Sequence, residues 1–463
     1  MIISAYMVPH PPIAVHEIGK GEEKKIQHTI DAYEKVGKMI AQDHPDTIVI
    51  TSPHATMYRD WFNVSSGSHA YGDFGQFRCP EVSFDETYDE EFVHVLDELC
   101  QRDHFPAGTE YDRDHMLDHG TMVPLYFIEH HIHDFKIVRI GLSGLPLRMH
   151  FELGQKIQDV SDVLHRKVTF VASGDLSHCQ KEDDPYGYKE EGPQYDERIM
   201  KTMGTASFEE LLEYDPSFLN KAEECGHRSF CIMAGALDRM NVKPQVLSHE
   251  ATFGVGYGVV AYDVQGEDRT RDFLDAYDTE IRNKAEEKRK NSDPYVKLAT
   301  EAMNHWIAKK EVMKVPDHLP EEMYQERKGS FVSIHEYGEL RGCIGTILPT
   351  RKNLAEEIIY NAISACSRDP RFEAIKVKEI PYLEVSVDVL SQPEDIGQDI
   401  TKLDVKKYGV ICSVPDGRKG LLLPDLEGVD DVKTQIHVAC NKGDIDEDDP
   451  RLQLSRFEVT RHV

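Results

Sequence analysis

The chain has 463 residues, of which 83 are acidic and 53 are basic, and its formal net charge is −30. This length predicts two or three domains, and the negative charge argues against nucleic acid or an anionic membrane surface as a partner. The sequence has no long apolar run and no signal-peptide pattern, so we expect a cytoplasmic protein. Its nine scattered cysteines include no C-x-x-C pair, which favours reduced thiols over a disulfide framework.

Residues 1–265 alternate between strand and helix patterns, which predicts an α/β domain with a mainly parallel or mixed sheet flanked by helices. The predicted strands are residues 2–7, 47–51, 136–140, 168–172 and 257–264. The predicted helices include residues 26–42 and 90–101.

A histidine follows shortly after each of three predicted strands. The run DTIVITSPHA delivers His54, the opening MIISAYMVPHPP delivers His10, and VTFVASGDLSHC delivers Asp175 and His178. Because functional groups of α/β proteins lie just past the carboxyl ends of buried parallel strands, these side chains can converge on one site. Two neutral imidazoles and one carboxylate on one face are the ligands that suit non-haem Fe(II).

A fourth segment, AEECGHRSF at residues 222–230, offers further metal-binding groups. It contains Glu223, Glu224, Cys225 and His227 directly before an apolar helical pattern. These groups can add to a site with His10 and His54, where a carboxylate favours Fe(II) and a thiolate favours copper or zinc.

The sequence after residue 265 changes character twice. Residues 266–292 are highly charged and are predicted to form an exposed helical linker. Residues 293–463 then resume with a helix at 295–309 and strands at 330–335, 383–390 and 420–423. This pattern predicts a second, smaller α+β domain.

The second domain contains the run ELRGCIGT, which includes Arg341, Gly342, Cys343 and Gly345. The glycines allow close approach of the backbone, and the charge of Arg341 would favour the thiolate form of Cys343. Alternatively, Cys343 is a small buried residue in a tight part of a strand. The spacing alone leaves both interpretations open.

Residues 1–265 resemble the class III extradiol ring-cleavage dioxygenases, the LigB-like family, and the related Memo proteins. The resemblance rests on PHPP at 9–12, SPHA at 52–55, DFGQF at 73–77, DHGTMVPL at 118–125 and SGDLSH at 173–178. It implies that His10 and His54 are metal ligands, that His178 is the acid–base histidine and that His119 contacts substrate. For the third ligand, the dioxygenase pattern implies Glu224 and the Memo pattern implies Cys225, and we expect Glu224.

The activity implied by this resemblance is a dioxygenase reaction in which a catechol-like substrate chelates Fe(II) beside O2. The alternative is a metal- and partner-binding component of a modification system that does not cleave rings, with zinc or copper as the metal. In either role we expect a homo-oligomer.

Residues 293–463 resemble the AMMECR1 domain, through LRGCIGT, SRDPRF, EVSVDVLSQPEDI and GRKGLLLPD. This family has no settled activity. Memo-like and AMMECR1-like proteins occur beside a radical SAM protein, so the resemblance implies such a protein as a partner. The chain itself lacks the C-x-x-x-C-x-x-C cluster motif.

Overall fold

The computed structural model describes residues 1–182, 186–426 and 428–463. The chain forms two compact units, Met1–Tyr277 and Asp278–Val463. The boundary falls inside a helix, Phe273–Asn291, that occupies most of the segment expected to be an exposed linker. This helix is not uniformly exposed, because Leu274 and Ala285 are both buried.

The first unit is built on a six-stranded mixed sheet with the strand order β7-β2-β8-β1-β10-β9. Strands β7, β2, β8 and β1 are parallel to one another, whereas β10 is antiparallel to both of its neighbours, β1 and β9. The strands of this unit are β1 (Ile2–Val8), β2 (Thr47–Ser52), β3 (Phe62–Asn63), β4 (His69–Phe74), β5 (Cys79–Thr87), β6 (Ala107–Gly108), β7 (Lys136–Gly141), β8 (Val168–Ser173), β9 (Met240–Glu250) and β10 (Tyr257–Glu267).

Helices cover both faces of this sheet. They are α1 (His16–Gly19), α2 (Gln27–Asp43), α3 (Glu90–Asp103), α4 (His119–Glu129), α5 (Leu147–Val163), α6 (Glu191–Thr205), α7 (Pro216–Ala222) and α8 (His227–Ala236). Alternate residues of the buried strands face opposite sides, so Val49 packs into the core under α5 and α8, while Ile48 and Ile50 pack under α2 and α4. The prediction of a mixed sheet flanked by helices is confirmed.

The second unit combines two four-stranded antiparallel sheets with helices. Its strand orders are β12-β11-β13-β18 and β14-β17-β15-β16. The strands are β11 (Ser330–Glu336), β12 (Glu339–Thr346), β13 (Leu383–Leu390), β14 (Glu394–Gly397), β15 (Gly409–Ser413), β16 (Lys419–Leu422), β17 (Gln453–Phe457) and β18 (Val459–His462). The helices are α9 (Phe273–Asn291, shared with the first unit), α10 (Pro294–Lys309), α11 (Glu321–Gln325), α12 (Leu354–Ser367) and α13 (Val432–Lys442).

The first of these sheets packs against α10 and α12. Val332 and Ile334 of β11 are fully buried in a core with Ile358 and Ala362 of α12. The predicted separate C-terminal domain is confirmed. Among the described residues, no helix has both the length and the apolar character needed to cross a membrane.

Candidate metal centre

Three histidines meet at the carboxyl-terminal edge of the parallel strands. His10 follows β1, His54 follows β2, and His119 is the first residue of α4. One nitrogen from each of these rings lies within 4.8 Å of the other two. The Nε2 atoms of His10 and His54 are 3.0 Å apart.

A hydrogen-bond chain determines which nitrogen of His10 carries a proton. The hydroxyl of Ser173, the last residue of β8, donates to the carbonyl oxygen of Gly120 at 2.6 Å. Its oxygen therefore accepts the bond from Nδ1–H of His10, at 3.0 Å. Nε2 of His10 is left unprotonated, and its lone pair faces His54.

Burial keeps two of these imidazoles neutral. Burial, reinforced by the neighbouring His54, lowers the pKa of His10 to about 3. Burial, together with His54 and His10, lowers the pKa of His119 to about 4. At neutral pH both rings are in the uncharged form that binds metal ions.

Hydrogen bonds of Asp118 and Ser52 connect the segments that carry His54 and His119. Asp118 caps α4 by accepting a hydrogen bond from Thr121 N–H at 3.1 Å. The same carboxylate accepts from the Ser52 hydroxyl at 2.5 Å, and the Ser52 oxygen accepts from the backbone N–H of His54 at 3.2 Å. The loop that carries His54 is thus joined to the helix that begins at His119.

The structure separates the two candidates for the third ligand. The carboxylate of Glu224 accepts a hydrogen bond from the backbone N–H of His227 at 2.6 Å, at the start of α8. The thiol of Cys225 lies 3.7 Å from Nε2 of His10. Within the described residues, the group of converging ligand atoms consists of His10, His54 and His119 and contains neither Glu224 nor Cys225.

His178 lies on the loop after β8, partly exposed. Its Nδ1 is hydrogen-bonded to the carbonyl oxygen of Glu223. Because a carbonyl only accepts, Nδ1 carries the proton and Nε2 is free to accept another. Burial and His54 are the main causes of the lowered pKa of His10, and the nearby His178 adds a smaller contribution.

Aromatic rings lie beside two of these histidines. Phe77 contacts His119 edge to face, with ring centroids 5.5 Å apart. The ring of Tyr186 lies 5.3 Å from that of His178. Both rings come from segments outside the sheet.

The second predicted motif lies in the second unit, on β12. Cys343 is half-buried and accepts a hydrogen bond from the Ser333 hydroxyl at 3.2 Å. Arg341, expected beside the thiol, instead donates to Glu379 at 2.7 Å. The cation at Cys343 is Arg371, whose pKa is raised chiefly by its hydrogen bond to Asp369 and further by Cys343.

The glycines of this motif serve close packing. A Cβ atom on Gly342 would lie 2.3 Å from the carbonyl oxygen of Ala365 on α12. A Cβ atom on Gly345 would lie 2.2 Å from the ring of Phe331. Both glycines therefore let β12 approach its neighbours.

Sequence reasoning missed Ser173, Ser52 and Asp118 as parts of the site. Asp118 had a readable signal, because an aspartate before an apolar helical run is a typical N-cap. The two serines end buried strands, and only the tertiary hydrogen bonds reveal what they do.

Two of the donor atoms, Nε2 of His10 and Nε2 of His54, fit one divalent transition-metal ion. Two nitrogens bound to one ion at about 2.1 Å each, at right angles, would lie about 3.0 Å apart, as Nε2 of His10 and of His54 do. The Ser173 hydroxyl orients His10 as a metal-bound histidine is usually oriented by a partner on its other nitrogen. The imidazoles accommodate iron, zinc or copper, and the donor set does not select among them.

The fold and the histidine cluster define an α/β protein with a candidate metal centre at the carboxyl ends of its strands. Residues 4–260 match the family described as the catalytic LigB subunit of aromatic ring-opening dioxygenase, and residues 296–462 match the AMMECR1 family. The chain belongs to the LigB family and carries a C-terminal AMMECR1 domain.

Several proteins without an assigned function are similar to this chain. A protein of Clostridium acetobutylicum is 40% identical, over 99% of this chain and 98% of its own length. A Thermotoga maritima protein is 46% identical, over 36% of this chain and 97% of its own.

Two solved structures of uncharacterized proteins were also found. One, from Pyrococcus horikoshii, is 30% identical, and the match covers 36% of this chain and 88% of the P. horikoshii chain, with a TM-score of 0.34. The other, from Escherichia coli, is 14% identical, covers 56% of this chain and 99% of its own, and has a TM-score of 0.36.

Proposed function

We propose that the first unit is a metal-dependent oxidoreductase of the ring-opening dioxygenase type, acting on a catechol-like substrate and O2. His10, His54 and His119 hold the metal ion, which we propose to be Fe(II). The observation that carries the proposal is the tautomer of His10, whose unprotonated Nε2 lies 3.0 Å from Nε2 of His54. Membership of the LigB family supports the reaction class.

His178 is the proposed proton-transfer group. The carbonyl oxygen of Glu223 fixes its proton on Nδ1, so Nε2 can take the hydroxyl proton of a phenolic substrate and later return it. When bound, Fe(II) would supply coordination positions for two substrate oxygens and for O2. Phe77, beside His119, offers an aromatic surface for the substrate ring.

A second candidate function has its own observation. The Cys225 thiol lies 3.7 Å from Nε2 of His10, whereas the Glu224 carboxylate is engaged at the start of α8. A site completed by a thiolate favours copper or zinc. In that case the unit is a metal- and partner-binding component, with a radical SAM protein as the partner, and does not cleave rings.

The experiment that separates the two combines metal content with oxygen uptake. Protein purified without oxygen is loaded with Fe(II), Zn(II) or Cu(I), and oxygen consumption is followed on a panel of catechols. For the dioxygenase we expect one iron per chain, lost in His54→Ala and kept in His178→Ala, with catechol-dependent uptake lost in both. His94→Ala, which removes an exposed histidine of α3, is the matched control and should retain both properties.

Variants of Glu224 and Cys225 show whether either side chain is needed to bind the metal ion. If Cys225→Ser abolishes metal binding, Glu224→Gln does not, and no catechol supports oxygen uptake, the dioxygenase proposal is wrong and the second candidate stands.

A further inference from the structure

The second unit contains a cavity of about 660 Å³, remote in sequence from the histidine cluster. It lies between the C-terminal half of α9, the start of α10 and the first half of β13. Its volume is within the range of pockets that bind small molecules. The apolar part of the wall includes Ala285, Val296 and Val385.

Arg289 supplies a positive charge at this wall. Its guanidinium donates to the carbonyl oxygens of Ile380 at 2.9 Å and Pro381 at 3.2 Å. Within the described residues, no carboxylate forms an ion pair with Arg289, and Glu286, one turn earlier on α9, pairs with Lys290. Arginine has five N–H donors, so this guanidinium retains donors for an anion.

The further polar residues that line the cavity include Thr300, His335 and Glu384. The hydroxyl oxygen of Thr300 is buried and has no hydrogen-bond partner within the described residues. His335 is half-buried, and burial lowers its pKa, so its ring is neutral at neutral pH. Glu384, on the β13 side, is already paired with Lys288. The Thr300 hydroxyl therefore keeps its donor for a bound molecule.

We propose that this cavity binds a small amphipathic organic acid. Its anionic group lies at Arg289 and receives a further hydrogen bond from Thr300, while its apolar body packs against Ala285, Val296 and Val385. The proposal is independent of the metal centre, because every group it uses belongs to the second unit.

The test uses the full-length protein with two probes, anilinonaphthalene sulfonate followed by fluorescence and octanoate as its competitor. Arg289→Met should weaken binding of both probes by about tenfold, the usual consequence of losing a charged hydrogen bond. Thr300→Val should weaken octanoate binding by about threefold without lowering the unfolding temperature, because the hydroxyl it removes has no partner in the protein. Arg282→Met, which changes an exposed arginine on the same helix outside the cavity, should bind as the unaltered protein does.

Because Arg289 also supports the backbone at Ile380, circular dichroism must confirm that Arg289→Met is folded. Arg289→Lys keeps the positive charge on a shorter side chain and should bind both probes with intermediate affinity. This variant replaces Arg289→Met in the test if the methionine variant is unfolded. Equal probe binding by the Arg289, Thr300 and Arg282 variants would overturn the proposal. Failure of octanoate to displace the fluorescent probe would overturn it too.

Discussion

The hydroxyl of Ser173 decides which nitrogen of His10 is available to a metal ion. In Ser173→Ala, Nδ1 of His10 loses its acceptor, so the ring can adopt the other tautomer or rotate. We expect metal affinity to fall by about 10- to 100-fold, the usual cost of removing such a partner of a ligating histidine. A competition titration against a chelator of known affinity measures this change.

Ser248→Ala is the matched control for this substitution. Ser248 is also a buried serine of the first unit, but its hydroxyl has no hydrogen-bond partner within the described residues. Its loss should leave metal affinity unchanged. Equal affinities in the two variants would show that the Ser173 hydroxyl does not orient His10.

A second residue-scale prediction concerns pH and Glu129, near the end of α4. Burial, together with the neighbouring Glu86 carboxylate, raises the pKa of Glu129 well above its usual range. A raised pKa means that the folded state holds its proton at pH values where the unfolded chain, with a pKa of about 4.3, has lost it. The charge thus opposes folding increasingly as pH rises above that value.

Glu129→Gln should therefore raise the free energy of unfolding at about pH 8 and change it little at about pH 4.5. Urea denaturation at the two pH values measures the difference. Glu213→Gln, at an exposed glutamate, should have no such pH-dependent effect. A constant offset for Glu129→Gln at both pH values would contradict the assigned cause.

At the scale of elements, the helices α5 and α8 are held at the closest approach that two glycines permit. A Cβ atom on Gly235 would lie 1.9 Å from the carbonyl oxygen of Phe151, and one on Gly154 would lie 2.0 Å from that of Ile232. Both obstacles are backbone atoms, so only a shift of a whole helix can relieve them. Gly235→Ala should lower the free energy of unfolding of the first unit by about 3 kcal/mol, as overpacking does.

Chemical denaturation checks this value against Gly204→Ala on α6. There a Cβ atom would meet only the tip of Val246, 2.9 Å away, and this exposed side chain can move aside. We expect a change of less than about 0.5 kcal/mol, since alanine also favours the helix. If Gly235→Ala and Gly204→Ala lower the free energy of unfolding equally, the close contact between α5 and α8 is not the reason that residue 235 is a glycine.

The elements that the sequence predicted well are those with one dominant local signal. The strand at 383–390 has the predicted bounds, and the strands ending near His10, His54 and His178 differ from prediction by one residue at the carboxyl end. The order of strands in the sheet could not be derived, because the neighbours β8 and β2 are more than a hundred residues apart in the chain.

The residues of the candidate metal site were harder to predict from the sequence. Glu224 and Cys225 are adjacent, and they differ because the start of α8 engages the carboxylate, whereas the backbone N–H of Asp175 bonds to the thiol and the thiol lies near His10. His119 begins a helix instead of ending a strand, so the strand-end argument did not place it beside His10 and His54. Such differences depend on where a few hydrogen bonds go in three dimensions, which residue type and spacing do not specify.

At the scale of the whole molecule, each unit has its own hydrophobic core. The first unit buries apolar side chains on both faces of its six-stranded sheet. The second unit buries a separate set between α10, α12 and the sheet that contains β11. A ligand of the first unit therefore acts directly on the stability of that unit.

Scanning calorimetry of the full chain should show which unit the metal ion stabilises. A metal ion at about a hundred times its dissociation constant stabilises the unit that binds it by about 2.7 kcal/mol, so one unfolding transition should move to higher temperature while another stays in place. In His54→Ala neither transition should move. Asp369→Asn should instead lower the temperature of the transition that the metal ion does not move. Asp369 joins Arg371 to the backbone of Cys343 in the second unit. Its hydrogen bond with Arg371 is the main cause that lowers the pKa of Asp369 to about 2. Equal metal-induced shifts of both transitions would contradict the assignment of the metal site to the first unit alone.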